Sequence, residues 1–233
     1  MFAKVFFTLS FCSLLLLAGV SESAQANDLA ALDKALEATL SKKEIQSILK
    51  GKFVMREEEV PGHPWPIISV FAWTPTSPEE IFAVFSDYNS AKDFIPNLLK
   101  SKISKQHSPT KVEVDYCIAV PILADENYTC QNTLHPKQSD GRIQVSWSLV
   151  RATKIKTSEG FFTAKPYQGG SLVLYSNLTN PGSVAAGLLK SFARSQLRDC
   201  VRSILDKVQQ EKKENPSLLQ EKVREFNARL RSS

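Results

Sequence analysis

The feature that most constrains this chain is its change of period. From Val112 the sequence repeats every two residues. Val112, Val114, Tyr116, Ile118 and Val120 share one strand face, and Glu113 and Asp115 share the other. Asn127 to Leu134 reads as the return strand. Ile143, Val145, Trp147 and Leu149 alternate again after a turn at "SDG", Ser139 to Gly141. Residues 155–166 and 171–178 form a further candidate hairpin across "YQGG". The alternation stops at "NPGS", and a helical period takes over. Val184, Leu188, Phe192, Leu197, Val201, Ile204 and Val208 mark the apolar side of a long helix expected from about Ser183 to Glu211. At least five strands separated by turns predict one antiparallel sheet. A sheet with an apolar face must bury it, and only this helix is long enough to lie across it.

The preceding segment fits the same plan. Phe53 to Val60 and Pro66 to Thr74 read as two strands of a hairpin, joined by "PGHPWP", which no helix can cross. In "SPEEIFAVFSDYNSAKDFIP", Ser77 is a helix N-cap, Pro78 fits the first helical position and Glu80 completes a capping box. Ile81, Phe82 and Phe85 line one face. Ser90 and Asp93 mark a fresh start, so two short helices are expected with a break at Asp87 to Asn89, closing one end of the sheet. Large residues facing the helix then border the space beneath it. Tyr116, Trp147, Phe162, Tyr175 and Phe192 are the candidate cavity lining.

The N-terminus has the layout of a signal peptide. Lys4 is the only charge in the first twenty residues, an apolar run follows, and Ala24 and Ala26 form an A-x-A site. Cleavage is expected near Ala26, which makes the protein secreted or periplasmic. An uncleaved anchor is the alternative, although the run is shorter than a membrane span requires. Residues 27–51 read as a helical segment. Leu29, Leu32, Leu36 and Leu40 lie on one face, and a second capping box occurs at "SKKE", Ser41 to Glu44. Residues 52–211 form the main domain and 212–233 a charged tail, either a short helix or frayed.

Three cysteines remain after cleavage. Cys117 and Cys130 flank "PILADEN", and a turn near Leu123 to Ala124 would bring them together as a disulfide. Three buried thiols are the alternative. The net charge of +5 favours anionic partners such as phospholipid surfaces. No basic run with interleaved aromatics points to nucleic acid. Lys190, Arg194, Arg198 and Arg202 recur every four residues as a stripe on the long helix, read either as a solvated face or as a contact with anionic lipid.

Catalytic material is scarce. His63, His107 and His135 have no partner at ligand spacing, so no metal or other cofactor is expected. Glu113 and Asp115 are read as an outer strand face rather than an acid/base pair, and Asp87 as a cap at the helix break. No catalytic residue is assigned.

The phrase "SPEEIFAVFSDYNSAKDFIP", then "VSWSLV", then "EGFFTAKPYQGGSLVLYSNLTNP" and the long helix resemble the START-related helix-grip superfamily, SRPBCC. The polyketide-cyclase and coenzyme-Q-binding branch is the nearest likeness, over roughly Phe53 to Val208. The resemblance implies an α+β helix-grip fold with a hydrophobic ligand cavity. The resulting expectation is a binding or carrier protein for a hydrophobic small molecule or lipid. A cyclase- or aromatase-like enzyme and a membrane-surface interaction module stay open.

Overall fold

The computed structural model of the protein describes residues 40–121, 123–182 and 186–232. The expected signal peptide, the expected helix before Leu40 and the expected start of the long helix at Ser183 and Val184 lie outside them.

Local chemistry sets the helix ends. Helix α1 (Lys42–Leu49) starts at the Ser41–Glu44 capping box, and the chain then turns at Gly51 with φ +78°. Strands β1 (Val54–Glu58) and β2 (Ile67–Thr74) form the expected hairpin. In α2 (Pro78–Phe85), the Glu80 amide donates to Ser77 Oγ at 3.2 Å, and Glu80 Oε2 accepts from the Ser77 amide at 2.8 Å. A 3-10 turn (Ala91–Asp93) follows the break.

The remaining strands are β3 (Leu98–Ser108), β4 (Lys111–Ile118), β5 (Glu126–Leu134), β6 (Ile143–Ala152), β7 (Thr157–Tyr167) and β8 (Gly170–Asn180). All eight strands make one antiparallel sheet in the order β1-β2-β8-β7-β6-β5-β4-β3. The first hairpin thus occupies one edge. The chain crosses to the other edge through α2 and the 3-10 turn, then meanders back until β8 pairs with β2. Helix α3 (Ala186–Glu214) covers the inner face.

Strand β3 is absent from the sequence reading. It carries Lys100, Lys102 and Lys105, and most of its side chains are exposed. It is an edge strand, where lysines block further pairing and no apolar alternation is required.

The C-terminal residues are more closely tied to the domain than a tail would be. Of the two forms expected for residues 212–233, the helix is present and the frayed tail is not: Pro216–Leu230 forms helix α4, and it packs on the domain instead of trailing from it. Leu219 and Phe226 are buried. The Phe226 ring stacks on Phe82 with centroids 6.2 Å apart, and Arg229 donates to Ser86 Oγ at 2.8 Å. Lys222 bridges Glu211 at 2.9 Å and Asp87 at 3.1 Å. Helix α4 therefore clamps α2 to the second half of α3.

The disulfide expectation also fails on register. Cys117 pairs with Asn127, whereas Cys130 sits opposite Val114. Side chains alternate along a strand, so the two thiols point to opposite faces of the sheet. The hairpin turns earlier than expected, and a small shift of the turn moves every partner. Cys117, Cys130 and Cys200 are all free.

Candidate ligand cavity

Helix α3 meets the sheet in two ways. Val201, Ile204 and Val208 in its second half are fully buried. Leu189, Phe192, Leu197 and Cys200 in its first half are only half-buried, because they face a cavity of about 270 Å³. The opposite wall is the inner sheet face, including Tyr116, Tyr128, Trp147 and Tyr175. Phe85, Tyr88, Phe94 and Ile95 close the end beside α2.

Four of the five candidate residues lie in this wall: Tyr116, Trp147, Tyr175 and Phe192. Phe162 does not. It is fully buried against Phe82 and Phe85, with centroids 5.2 and 5.0 Å away. It is paired with Tyr175 in the β7–β8 ladder, but α2 lies over Phe162. Tyr88, Tyr128, Cys130, Cys200 and Glu126 are wall residues that the sequence reading did not select. Tyr128 carried a usable signal, because it is the cross-strand partner of Tyr116 once the hairpin register is right.

A glycine places the largest wall residue. Trp147 pairs with Gly160 across β6 and β7. A Cβ on Gly160 would stand 2.7 Å from the Trp147 ring and 2.2 Å from the Ser176 carbonyl oxygen. Without one, the indole lies across β7 and donates from Nε1 to Asn177 Oδ1 at 3.1 Å. Its ring also packs on Tyr175, 4.9 Å between centroids.

The polar groups of the wall are almost all uncharged. Burial raises the Tyr88, Tyr116, Tyr128 and Tyr175 hydroxyls far above the usual tyrosine range. Burial likewise pushes the Cys130 and Cys200 thiols up to about 12. Among the described residues, Glu126 and Lys154 are the only charged side chains in the lining. Glu126 Oε1 accepts from the Lys154 and Ile155 amides at 2.7 and 3.2 Å, tying the start of β5 to the β6–β7 loop. Its Oε2 is buried without a partner.

Other candidate groups lie elsewhere. His107 bonds Glu113 at 2.7 Å. Asp115 accepts from Thr129 Oγ1 at 2.7 Å and from Arg151 at 2.8 Å. The Thr129 hydrogen bond is the main cause that holds its carboxyl below the usual range. None of these groups reaches the cavity. Asp87 pairs with Lys222 of α4. Among the described residues, no His/Cys/Asp/Glu group is arranged to hold a metal.

The basic stripe is not the bare row that its spacing suggested. Lys190 lies 3.5 Å from Glu57 and 3.7 Å from Glu59, and Arg194 lies 2.5 Å from Glu57. Arg198 pairs with Asp199 at 3.1 Å, and the Arg202 guanidinium stands 5.2 Å over the Phe53 ring. The stripe runs beside β1 and the residues flanking it, and their side chains hold three of the four bases.

No protein-family model matches the sequence, and no curated protein matches it significantly. Solved structures do match. The STAR-related lipid transfer protein (fragment 25–204) from Xanthomonas axonopodis is 20% identical, over 68% of this chain and 93% of that one, with a TM-score of 0.60. Human StAR-related lipid transfer protein 5 is 12% identical, over 82% and 98% of the two chains, with a TM-score of 0.61. The di-domain ARO/CYC StfQ from the steffimycin biosynthetic pathway is 9% identical, over 62% of this chain and 51% of that one, with a TM-score of 0.53. What these proteins share with this chain, at such identities, is architecture. The chain therefore has the START-like helix-grip fold, with one antiparallel sheet held around a long C-terminal helix.

Proposed function

We propose that the protein binds a hydrophobic small molecule or lipid beneath the first half of α3 and carries it, as an exported protein cleaved near Ala26. The observation that carries this reading is the cavity itself. The first half of helix α3 forms one wall of it, and the sheet wall it faces is mainly aromatic and aliphatic. Small-molecule sites span roughly 300–1,000 Å³. A cavity of about 270 Å³ suits a compact ligand as it stands. Two of the fold neighbours are lipid transfer proteins by name, which agrees with this reading.

Native mass spectrometry of the purified protein, followed by solvent extraction, tests the proposal. The expected result is an apolar adduct, or uptake of the hydrocarbon probe diphenylhexatriene by adduct-free protein. Protein that carries nothing and leaves the probe dark would sink the carrier reading.

One observation favours a cyclase-like enzyme as the second reading. Glu126 puts an unpartnered carboxylate oxygen in a wall that is otherwise nearly uncharged, and a lone acid or base is the least such an enzyme needs. If Glu126→Gln leaves ligand binding intact but stops conversion of the bound molecule, the enzyme reading replaces the carrier.

A further inference from the structure

Four tyrosines reach the cavity from four separate places: Tyr88 from the turn after α2, Tyr116 from β4, Tyr128 from β5 and Tyr175 from β8. The Tyr116 and Tyr128 rings stack at 5.2 Å, and Tyr175 packs between Trp147 and Phe162 at 4.9 and 5.7 Å. None of the four hydroxyls makes a hydrogen bond among the described residues.

That pattern needs a reason. A tyrosine hydroxyl in an enclosed wall normally finds a partner, and these four, open to the cavity, depend on whatever fills it, at a cost if nothing does. Phenylalanine would give the same ring contacts without that cost, as Phe85 and Phe94 do in the same wall. The other polar groups of the lining are already used. The Trp147 N–H is taken by Asn177, the Asn177 amide by Thr179, and the Asn132 amide by the Cys130 carbonyl. Each tyrosine hydroxyl can accept as well as donate, but its proton is left without an acceptor among the described residues. Glu126 Oε2 is a further acceptor to which nothing donates.

We infer that the ligand is an apolar molecule bearing a neutral acceptor oxygen, of carbonyl type, placed against Tyr116, Tyr128 and Tyr175. A pure hydrocarbon would leave the hydroxyls bare. An anion would enter a wall whose only cation is Lys154, and burying an unpaired charge costs far more than burying a dipole. This inference rests on the carrier reading and sharpens it to a ligand class.

Three molecules of one skeleton test it: benzophenone with a carbonyl oxygen, diphenylmethane with none, and benzhydrylamine with a cationic donor. Each is titrated against bound diphenylhexatriene. Hydrophobicity alone ranks diphenylmethane first. Donation from the tyrosines reverses that order, so benzophenone should displace the probe at the lowest concentration. The readout is the benzophenone-to-diphenylmethane affinity ratio within each protein. Tyr128→Phe and Tyr175→Phe keep the rings, and each should move that ratio toward the hydrocarbon by about fivefold. Diphenylmethane winning in the wild type, benzhydrylamine winning there, or a ratio unmoved in both variants overturns the inference while the carrier reading survives. A wild type that takes up no diphenylhexatriene overturns both.

Discussion

The two halves of α3 have the same amphipathic period but different surroundings. Under the second half, Phe82, Phe162, Val70 and Val173 fill the space, and α4 presses Phe226 onto Phe82 from outside. Under the first half, Tyr116, Tyr128, Trp147 and Tyr175 stand around a void. The difference shows that helical periodicity selects which face of a helix is turned inward, not whether that face is packed. Packing depends on what other elements bring to the same place. Helices α2 and α4 serve the second half, and the first half is left as the part that ligand binding can use. Regions that open for ligands belong to the less stable end of a structure.

The sharpest test compares two phenylalanines. Phe82→Ala removes a fully buried ring touching Phe85, Phe162 and Phe226, and should cost about 3–5 kcal/mol in urea unfolding. Phe192→Ala removes a half-buried ring facing the cavity, and should cost about 1 kcal/mol or less while weakening diphenylhexatriene uptake. Equal costs at the two sites would erase the distinction between the halves.

Trp147 lies on the boundary. It is nearly buried, and one side of it faces the void. Trp147→Ala should cost about 3 kcal/mol, the low end for such a truncation, and should alter uptake of the probe. Gly160→Ala tests the same ring from beneath, since any Cβ there collides with the indole and with the β8 backbone. A variant that melts with wild type would show that the indole does not need that space.

The sequence made the local chemistry legible, and it left long-range encounters hidden. Both capping boxes, at Ser41 and Ser77, operate within four residues and are where the sequence places them. Strands β4 to β8 follow from alternation because one face of each is buried. Strand β3 shows no alternation, since it is an exposed edge. The docking of helix α4 escapes because its two buried residues, Leu219 and Phe226, lie two turns apart among charges. Phe162 and Tyr175 are register partners of similar size. Which of them is core and which is wall depends on where α2 comes to rest. The cysteine pairing depends on a loop length that no local signal fixes.

The cavity also sets an alkaline limit on stability. Burial lifts the Cys130 and Cys200 thiols to about 12, whereas an unfolded thiol ionises near about 8.5. Between those values the unfolded chain has released protons that the folded chain still holds. Raising the pH therefore favours unfolding. The stabilisation is complete below the unfolded value and declines as pH climbs toward 12, by up to ~1.4 kcal/mol per pH unit for each thiol. The urea midpoint should be level from pH 6 to about 8 and fall by pH 10, with a shallower fall in the double variant Cys130→Ala, Cys200→Ala. A midpoint level through pH 10 would mean that water reaches these thiols and that the first half of α3 is more open than described.

The smallest effect concerns the outer side of that same half. Lys190 and Arg194 face Glu57 and Glu59 across a surface where ion pairs contribute little, about 0–1 kcal/mol each. A base close to an anionic bilayer gains a similar ~1 kcal/mol, and salt screens it. The two attractions nearly cancel, so the wild type should bind phosphatidylserine vesicles weakly at low salt and not at all at physiological salt. Glu57→Gln with Glu59→Gln leaves the helix intact and releases both bases. Vesicle binding should then rise by about fivefold and stay salt-sensitive. Adding Arg194→Glu and Arg198→Glu to those changes should remove it. Unchanged binding after the glutamate substitutions would mean that the stripe is a solvated face. The proposed carrier would then have to deliver its ligand without a membrane contact at α3.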